Sequence, residues 1–319
     1  MNDAHRRSGR SARRLAAIAL FLALAQKAGA EPGVTGLNTL KRSFSAHGAG
    51  LADAYSGVSG GLQSLGYNPA GLCAARAPEI GTSYTHGLAD DHFSAATYAQ
   101  PAGPGIAAAG LAYYDAGSIQ LNLSDGTNEK RKAQQDWVGM AAYGIELGYG
   151  LAIGGAGKFF RSTLAEEASA TGQAFDIGGL WASPVRGLLL GGSIQNIGPK
   201  VKYESEGDPL PMTSRTGASY SRRFHGLEEL GFGFSRFQAS TDAIKLREER
   251  WAFASAVEMS MPLFEQGLVA LRLGYIFNRD SDNLTVGLGL SDRRFKFDYA
   301  LRLKQSLNQV HQFSFGIRL

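Results

Sequence analysis

The feature that most constrains the fold is a strict alternation of apolar and polar residues, which recurs from about residue 77 to the C-terminus. In the last segment, one parity holds only apolar side chains: Phe313, Phe315, Ile317 and Leu319. The other parity holds Gln312, Ser314, Gly316 and Arg318. Side chains alternate between the two faces of a strand, so this pattern predicts β-strands with one apolar and one polar face.

Strand length and loop spacing decide between two all-β architectures. In a soluble sandwich the apolar faces form a core, whereas in an outer-membrane barrel they face lipid and the polar faces line the lumen. The alternating segments run about 9 to 13 residues, which suits a tilted membrane strand. Short connections such as 101–105 alternate with longer ones such as 196–212. We therefore predict an all-β fold, a transmembrane antiparallel β-barrel of about 14 strands over residues 77–319.

The strand count has a topological consequence. An even number of strands places both chain ends at the periplasmic rim. The third predicted strand, 105–124, is long and bends at Asp115-Ala116-Gly117, and the predicted strand 228–238 is followed by a loop over 239–248.

The charge of the chain is concentrated at its N-terminus. The net charge is +4, yet the first 30 residues hold six basic residues and one acidic residue, so the rest of the chain is close to neutral. An Arg-rich stretch precedes the apolar run 15–25, and Ala28-x-Ala30 matches the pattern that a signal peptidase accepts. We predict that residues 1–30 are a signal peptide. The near-neutral remainder lacks the basic footprint of a nucleic-acid partner.

Residues 31–76 differ from the alternating region, because frequent glycines interrupt every periodic pattern. Irregular backbone cannot face lipid, since no water is present there to satisfy its amides. We predict that this segment is an N-terminal plug, or hatch, with short helices inside or below the barrel. A disordered periplasmic tail is the alternative.

Two motifs suggest a family. Phe44-Ser45-Ala46-His47-Gly48-Ala49-Gly50-Leu51-Ala52-Asp53-Ala54-Tyr55, followed by Gly66-Tyr67-Asn68-Pro69-Ala70-Gly71-Leu72, resembles the N-terminal region of the PorV/PorQ family, within the FadL-like group of outer-membrane barrels. Gln195-Asn196-Ile197-Gly198 with Asp208-Pro209-Leu210-Pro211 resembles a second stretch of that family.

The resemblance implies a 14-stranded barrel with a plug, and two functions. PorV-like members imply a type IX-like secretion role with secreted cargo proteins. FadL-like members imply uptake of hydrophobic small molecules such as long-chain fatty acids. The hatch motif would comprise Asn68, Pro69, Ala70 and Gly71, and the outer-loop motif Asn196, Asp208, Pro209 and Pro211. The loop motif serves either to rigidify the loop or to recognise a partner.

Charged residues on the predicted polar faces form a third candidate group. On the lipid face, a basic side chain near the midplane would cost about 2–4 kcal/mol. The group therefore belongs to the lumen, as an ion-pair network or as a site for a carboxylate headgroup: Lys158, Asp176, Arg272, Asp298 and Arg302.

An enzyme is not predicted. The sequence has no Gly-x-Ser-x-Gly elbow and no His-Glu-x-x-His or paired-Cys metal spacing. Among the histidines of residues 31–319, only His311 has a clearly lipid-facing parity.

We expect no cofactor. The expected location is the bacterial outer membrane, with its lipid, the barrel-assembly machinery, and a small molecule or cargo as partners. Besides a secretion barrel and an uptake channel, a soluble exported β-protein is the third class of protein that the sequence allows.

Overall fold

Fourteen antiparallel strands close into a barrel. The computed structural model describes residues 36–87, 91–122, 128–204, 206–224, 236–247, 249–263, 267–279, 283–303 and 309–319. The first barrel strand pairs with the last, from Glu79 opposite Arg318 to His86 opposite His311, and this pairing closes the wall. Closure satisfies the backbone of both edge strands, which membrane-spanning sheets require. The all-β barrel of about 14 strands predicted from the alternation is confirmed.

The barrel strands are, in chain order, β1 (Glu79–His86), β2 (His92–Ala102), β3 (Gly105–Asp115), β6 (Gln134–Gly148), β7 (Leu151–Leu164), β8 (Ala168–Ala182), β9 (Leu188–Ile197), β12 (Thr213–Arg223), β13 (Arg236–Leu246), β14 (Trp251–Leu263), β15 (Gly267–Phe277), β16 (Leu284–Ser291), β17 (Phe295–Leu303) and β18 (Val310–Arg318). Two small hairpins lie in loops: β4 (Ser118–Asn122) with β5 (Asn128–Lys132), and β10 (Val201–Lys202) with β11 (Gly207–Asp208). We call the rim where β1 begins and β18 ends the terminal rim, and the opposite rim the loop rim.

Apolar side chains cover the outside of the barrel. Leu271, Leu273 and Phe315 stand on the exterior face, and each is more than 40% exposed. Their neighbours along the chain point inward, as with the buried Arg272 of β15. An apolar exterior around a polar interior is the arrangement that a lipid-facing barrel requires. No helix in the described ranges is long and apolar enough to cross a membrane.

Two predicted strand bounds are wrong. The third barrel strand ends at Asp115, and residues 118–122 belong to the separate hairpin β4–β5. The predicted strand 228–238 is β13, over Arg236–Leu246, while residues 225–235 lie outside the described ranges.

The composition of β13 explains the second error. Its exterior face holds small or polar side chains such as Ala239 and Thr241, whereas the apolar Ile244 and Leu246 point into the lumen. They pack there against the N-terminal segment, in one cluster with Leu51 and Tyr55. The usual pattern of apolar-out and polar-in is therefore inverted in part of this strand, and the alternation does not reveal it.

The segment 36–76 lies inside the barrel and runs from one rim to the other. Its helical turns in the described residues are the α-helix α1 (Ala46–Gly50) and three 3-10 helices, Asn38–Lys41, Gly61–Ser64 and Pro69–Ala74. At the loop rim the Gly36 backbone N–H donates to the Pro209 carbonyl over 3.2 Å. At the terminal rim Arg76 Nη2 lies 3.1 Å from Glu146 Oε1. Whereas the barrel itself begins and ends at the terminal rim, the described chain enters the lumen from the loop rim.

A pair of matched substitutions tests which face meets lipid. Leu271 and Phe277 share the exterior face of β15 and are both 49% exposed, but Leu271 lies mid-strand and Phe277 at the loop rim. Leu271→Arg is expected to lower the free energy of unfolding in lipid vesicles by about 2–4 kcal/mol, and Phe277→Arg by about 0–1 kcal/mol. Denaturant titration measures both. An equal loss of unfolding free energy in the two variants would contradict a bilayer around this face.

Candidate functional site: the plugged lumen

Three glycines on neighbouring strands form a flat seat on the inner wall. Gly144 of β6 pairs with Gly154 of β7, and Gly154 pairs with Gly178 of β8. A Cβ atom on Gly154 would lie 2.4 Å from the carbonyl carbon of Pro69, and one on Gly178 would lie 2.1 Å from Asn68 Oδ1. The hatch motif therefore contacts the wall at distances that only glycine permits. We call these three residues the glycine seat.

Asn68 connects the hatch motif to the wall by hydrogen bonds. Its fully buried side chain donates from Nδ2 to the Ser56 carbonyl over 2.8 Å and to the Gly179 carbonyl over 2.9 Å. Its Oδ1 accepts from the Ala70 N–H over 3.1 Å, and so caps the 3-10 helix that begins at Pro69. An asparagine supplies both donors and an acceptor in one planar group, and this group joins plug, helix and wall.

The other hatch residues make the turn compact. Ala70 is fully buried, and the Gly71 N–H donates to the Asn68 carbonyl over 3.0 Å. A Cβ atom on Gly71 would lie 2.3 Å from Ser64 Oγ. All four predicted hatch residues therefore lie together in the turn that rests on the glycine seat.

A buried carboxylate that the sequence analysis did not single out holds the middle of the plug. Asp242 of β13 accepts from the backbone N–H groups of Tyr55 and Ser56 over 3.2 and 3.0 Å, and from the Ser56 hydroxyl. Its interior parity in β13 could have identified it, but the strand itself was predicted eight residues too early.

An ionic cluster holds α1 against the opposite wall. His47 Nε2 lies 2.8 Å from Glu258 Oε2, and Arg272 Nε donates to the same oxygen over 2.6 Å. Arg272 Nη1 lies 2.8 Å from Asp298 Oδ1, whose other oxygen accepts from Gln63 Nε2 over 2.9 Å. We call these five residues the α1 cluster. Arg272 and Asp298 were predicted to lie in the lumen, whereas His47, Glu258 and Gln63 were not identified.

The remaining predicted luminal charges are paired as well. Lys158 Nζ lies 2.7 Å from Asp176 Oδ2, and both side chains are 2% exposed. Arg302 Nη2 lies 3.0 Å from Asp53 Oδ2 in the plug. Burying an ion pair is costly unless further hydrogen bonds satisfy it, and Lys158 also donates to Asn196 Oδ1 over 2.7 Å.

The predicted outer-loop motif folds inward over the plug. Asn196 has a left-handed backbone, φ 58°, at a register shift between β8 and β9, and its N–H donates to Asp176 Oδ1 over 2.8 Å. Its side-chain amide donates to the carbonyls of Leu40 and Pro211. Asp208 ends the small hairpin at the Pro209 contact with Gly36, and Leu210 is buried against Leu37 and Leu40. The motif closes the loop rim over the plug.

Two chambers lie in the lumen beside the plug. The terminal chamber lies toward the terminal rim and has a volume of about 320 Å³, and its lining includes Gln63, Glu79, Arg236, Arg294 and Lys296. The loop chamber lies toward the loop rim and has a volume of about 380 Å³, and its lining includes Lys41, Arg42, Asp53, Asp91, Arg302 and Gln312. Volumes of this order accept a small organic ligand, and charged side chains line both chambers.

A tight turn borders the terminal chamber. Asp292 Oδ1 accepts from the backbone N–H groups of Arg294 and Phe295 over 2.7 and 2.6 Å. These hydrogen bonds, chiefly from Phe295, hold the pKa of Asp292 below its usual value. Because the carboxyl pKa is lowered, these hydrogen bonds stabilise the turn when the pH is above the ordinary pKa, and this stabilisation is lost as the pH falls through the lowered pKa.

The described residues include no group of His, Cys, Asp and Glu side chains placed to hold a metal ion.

Solved structures with the same fold include a hydrocarbon channel, a toluene transporter and a FadL homologue. A deletion mutant of the TodX monoaromatic hydrocarbon channel has a TM-score of 0.55 at 10% identity, over 83% of this chain and 99% of that one. The toluene transporter TodX of Pseudomonas putida has a TM-score of 0.52 at 12% identity, over 84% and 96%. A Pseudomonas aeruginosa FadL homologue has a TM-score of 0.52 at 11% identity, over 87% and 98%.

The comparisons define a class of fold. The chain is a closed 14-stranded antiparallel barrel, and it shares this fold with the hydrocarbon channel, the toluene transporter and the FadL homologue. No family model matches the sequence, and no curated protein matches it. The resemblance to PorV/PorQ therefore stays a prediction, and the type IX-like secretion role gains no support.

Filling the glycine seat should loosen the plug. Gly178→Ala puts a methyl group against Asn68, and overpacking of this kind is expected to lower the free energy of unfolding by about 1–3 kcal/mol. It should also make the segment 36–76 easier for a protease to cleave in the folded barrel. The control is Gly179→Ala on the exterior face of the same strand, where the nearest atom would lie 3.9 Å away. Equal behaviour of the two variants would refute the role of the seat.

Breaking the α1 cluster should lower the free energy of unfolding more than breaking an exposed ion pair does. Arg272→Met leaves Glu258 and Asp298 without their shared partner, and is expected to lower the free energy of unfolding by about 3–5 kcal/mol. The control is Arg318→Met, since Arg318 pairs with Glu79 over 3.0 Å at 56% side-chain exposure. That change is expected to cost under about 1 kcal/mol. Chemical unfolding in detergent gives both values, and a cost for Arg272→Met no larger than that of the control would show that the cluster is not needed.

Proposed function

We propose that this protein is a non-enzymatic channel of the bacterial outer membrane for small hydrophobic molecules, opened by displacement of its plug. In this proposal residues 1–30 are a signal peptide, residues 31–76 the plug and residues 77–319 the barrel. The single observation that carries the proposal is a closed, apolar-faced wall around an N-terminal segment that crosses the whole lumen. The fold shared with hydrocarbon and FadL-type channels supports the same function.

The plug must move for a ligand to pass. The terminal chamber and the loop chamber lie on different sides of α1, and the contacts of α1 with β15, β16 and β17 separate them. Gly50 lies against this wall so closely that a Cβ atom on it would be 3.2 Å from the Gly287 Cα. The α1 cluster and the glycine seat then act as two attachment points of one gate, on opposite sides of the barrel.

The loop rim would face the medium and the terminal rim the periplasm. Five of the six connections at the terminal rim are two to five residues long, and the two longest connections, 116–133 and 198–212, lie at the loop rim, which is the usual orientation of such barrels. The partners in this proposal are outer-membrane lipid, the barrel-assembly machinery and the transported molecule. A ligand with a carboxylate would meet Arg302 in the loop chamber and Lys296 in the terminal chamber. A cargo protein and a catalytic role have no supporting observation in the described residues.

The native cysteine allows a direct test of plug movement. A Cβ atom on Gly144 would lie 3.3 Å from Cys73 Sγ, close to the separation across a disulfide. Gly144→Cys should therefore form a disulfide with Cys73, and attach the plug covalently to β6. We expect uptake of toluene or oleate by cells carrying this variant to fall to the level of a deletion strain when oxidised. Reduction with dithiothreitol should restore it.

Two controls separate attachment from damage. Gly144→Ser adds a side chain of similar size without the disulfide, and Gly144→Cys with Cys73→Ser removes the partner thiol. Both should transport alike under oxidising and reducing conditions. Full uptake by the oxidised Gly144→Cys protein, with the disulfide verified by mass spectrometry, would disprove a moving plug. Equal uptake by the deletion strain and the wild type would disprove transport of these molecules.

A further inference from the structure

Three histidines lie in one row on the outside of the barrel, at its loop rim. His92 of β2 pairs with His86 of β1, and His86 pairs with His311 of β18. All three are partly exposed, and their parity is that of the exterior residues Tyr84 and Phe313. The sequence analysis placed only His311 on this face, because the other two terminate their strands.

The row lies directly beyond a row of aromatic side chains. Two residues further along each strand toward the barrel middle, Tyr84 pairs with Phe313, and Phe313 pairs with Tyr299. Aromatic side chains of this kind mark the boundary between the hydrocarbon and the headgroups of a bilayer. In the proposed orientation, the histidine row therefore lies at the depth of the lipid headgroups.

Each ring already uses one nitrogen within the protein. The hydroxyl of Tyr84 lies 2.8 Å from His92 Nδ1, and that of Tyr299 lies 2.9 Å from His311 Nδ1. His86 Nδ1 and His92 Nδ1 lie 3.3 Å apart. These contacts use the Nδ1 edge of each ring, and no hydrogen bond between described residues involves the three Nε2 atoms. A row of three imidazoles, spaced by one strand each, offers these Nε2 atoms to a multidentate ligand.

The charges around the row are balanced without the histidines. Asp115 pairs with His92 at the end of the row, and it is neutralised by Lys132 Nζ at 2.7 Å. Asp91, which precedes His92, is neutralised by Arg42 at 2.6 Å. Both carboxylates next to the row are therefore already paired with a cation.

We propose that His86, His92 and His311 form a binding site for the phosphate monoester of a membrane lipid. The three rings lie side by side on paired strands, so that one phosphate can contact more than one of them. An anion is favoured over a metal ion because the described residues contain no metal-binding group. The exterior position above the aromatic row favours a lipid over a free anion.

The test measures lipid binding by the full-length protein in detergent. Native mass spectrometry would follow binding of dihexanoyl phosphatidic acid, a lipid with a phosphate monoester, at one fixed pH. We expect binding to be about tenfold weaker in the triple variant His86→Gln, His92→Gln, His311→Gln than in the wild type. Dihexanoyl phosphatidylcholine, whose phosphate is a diester next to a cation, should bind equally weakly to both proteins.

The control variant is Lys245→Gln, which removes an exterior positive charge at the loop rim of β13, far along the wall from the row. It should bind phosphatidic acid as the wild type does, and unchanged heat-modifiable migration verifies that each variant folds. Equal binding by the triple variant and the wild type would overturn the proposal. Competition by millimolar inorganic phosphate with equal affinity would overturn the lipid as the ligand. None of these results depends on whether the barrel transports toluene or oleate.

Discussion

The contact between the hatch motif and the glycine seat is the constraint on which the plugged lumen depends. A barrel of 14 strands is wide enough to leave a pore, and the chain fills it with its own N-terminal segment instead. That segment has irregular backbone, whose amides must all find partners in the lumen. Gly144, Gly154 and Gly178 let the backbone of Asn68 and Pro69 lie directly on the wall, and Asn68 then satisfies the carbonyls on both sides.

Different kinds of interaction hold the plug on the two sides of the barrel. On the side of β6, β7 and β8 the contact is close packing against glycines, which has little tolerance for added atoms. On the side of β14, β15 and β17 it is the α1 cluster, in which Arg272 is shared between Glu258 and Asp298. A charge cluster next to a chamber of about 320 Å³ can exchange partners with solvent or a ligand more readily than a packed surface can. In the proposed channel, release of the plug would therefore start at α1, and the glycine seat would separate last.

Particular residues show how far the sequence could be interpreted. The alternation around Phe313 and Leu271 predicted the wall because lipid selects one face of each strand, and that selection acts locally. The interior position of Arg272 and Asp298 followed from the same parity. Their partners did not, since Glu258, His47 and Gln63 come from three distant segments that only the closed barrel brings together. The strand around Asp242 was misplaced because its apolar residues serve the plug and its exterior is small, which inverts the pattern on which the prediction relied.

The sequence by itself determined that this chain forms a closed barrel of about 14 strands with a polar interior, because strict alternation of apolar and polar residues over segments of this length is typical of membrane-spanning strands. It also marked Asn68-Pro69-Ala70-Gly71 as a turn, because proline and asparagine restrict the backbone locally. The tertiary structure alone decided that the plug crosses the lumen from the loop rim, that the outer-loop motif folds inward onto it, and that three histidines share one exterior row. These features depend on strand register and on contacts between residues that are far apart in the chain, which local alternation does not encode.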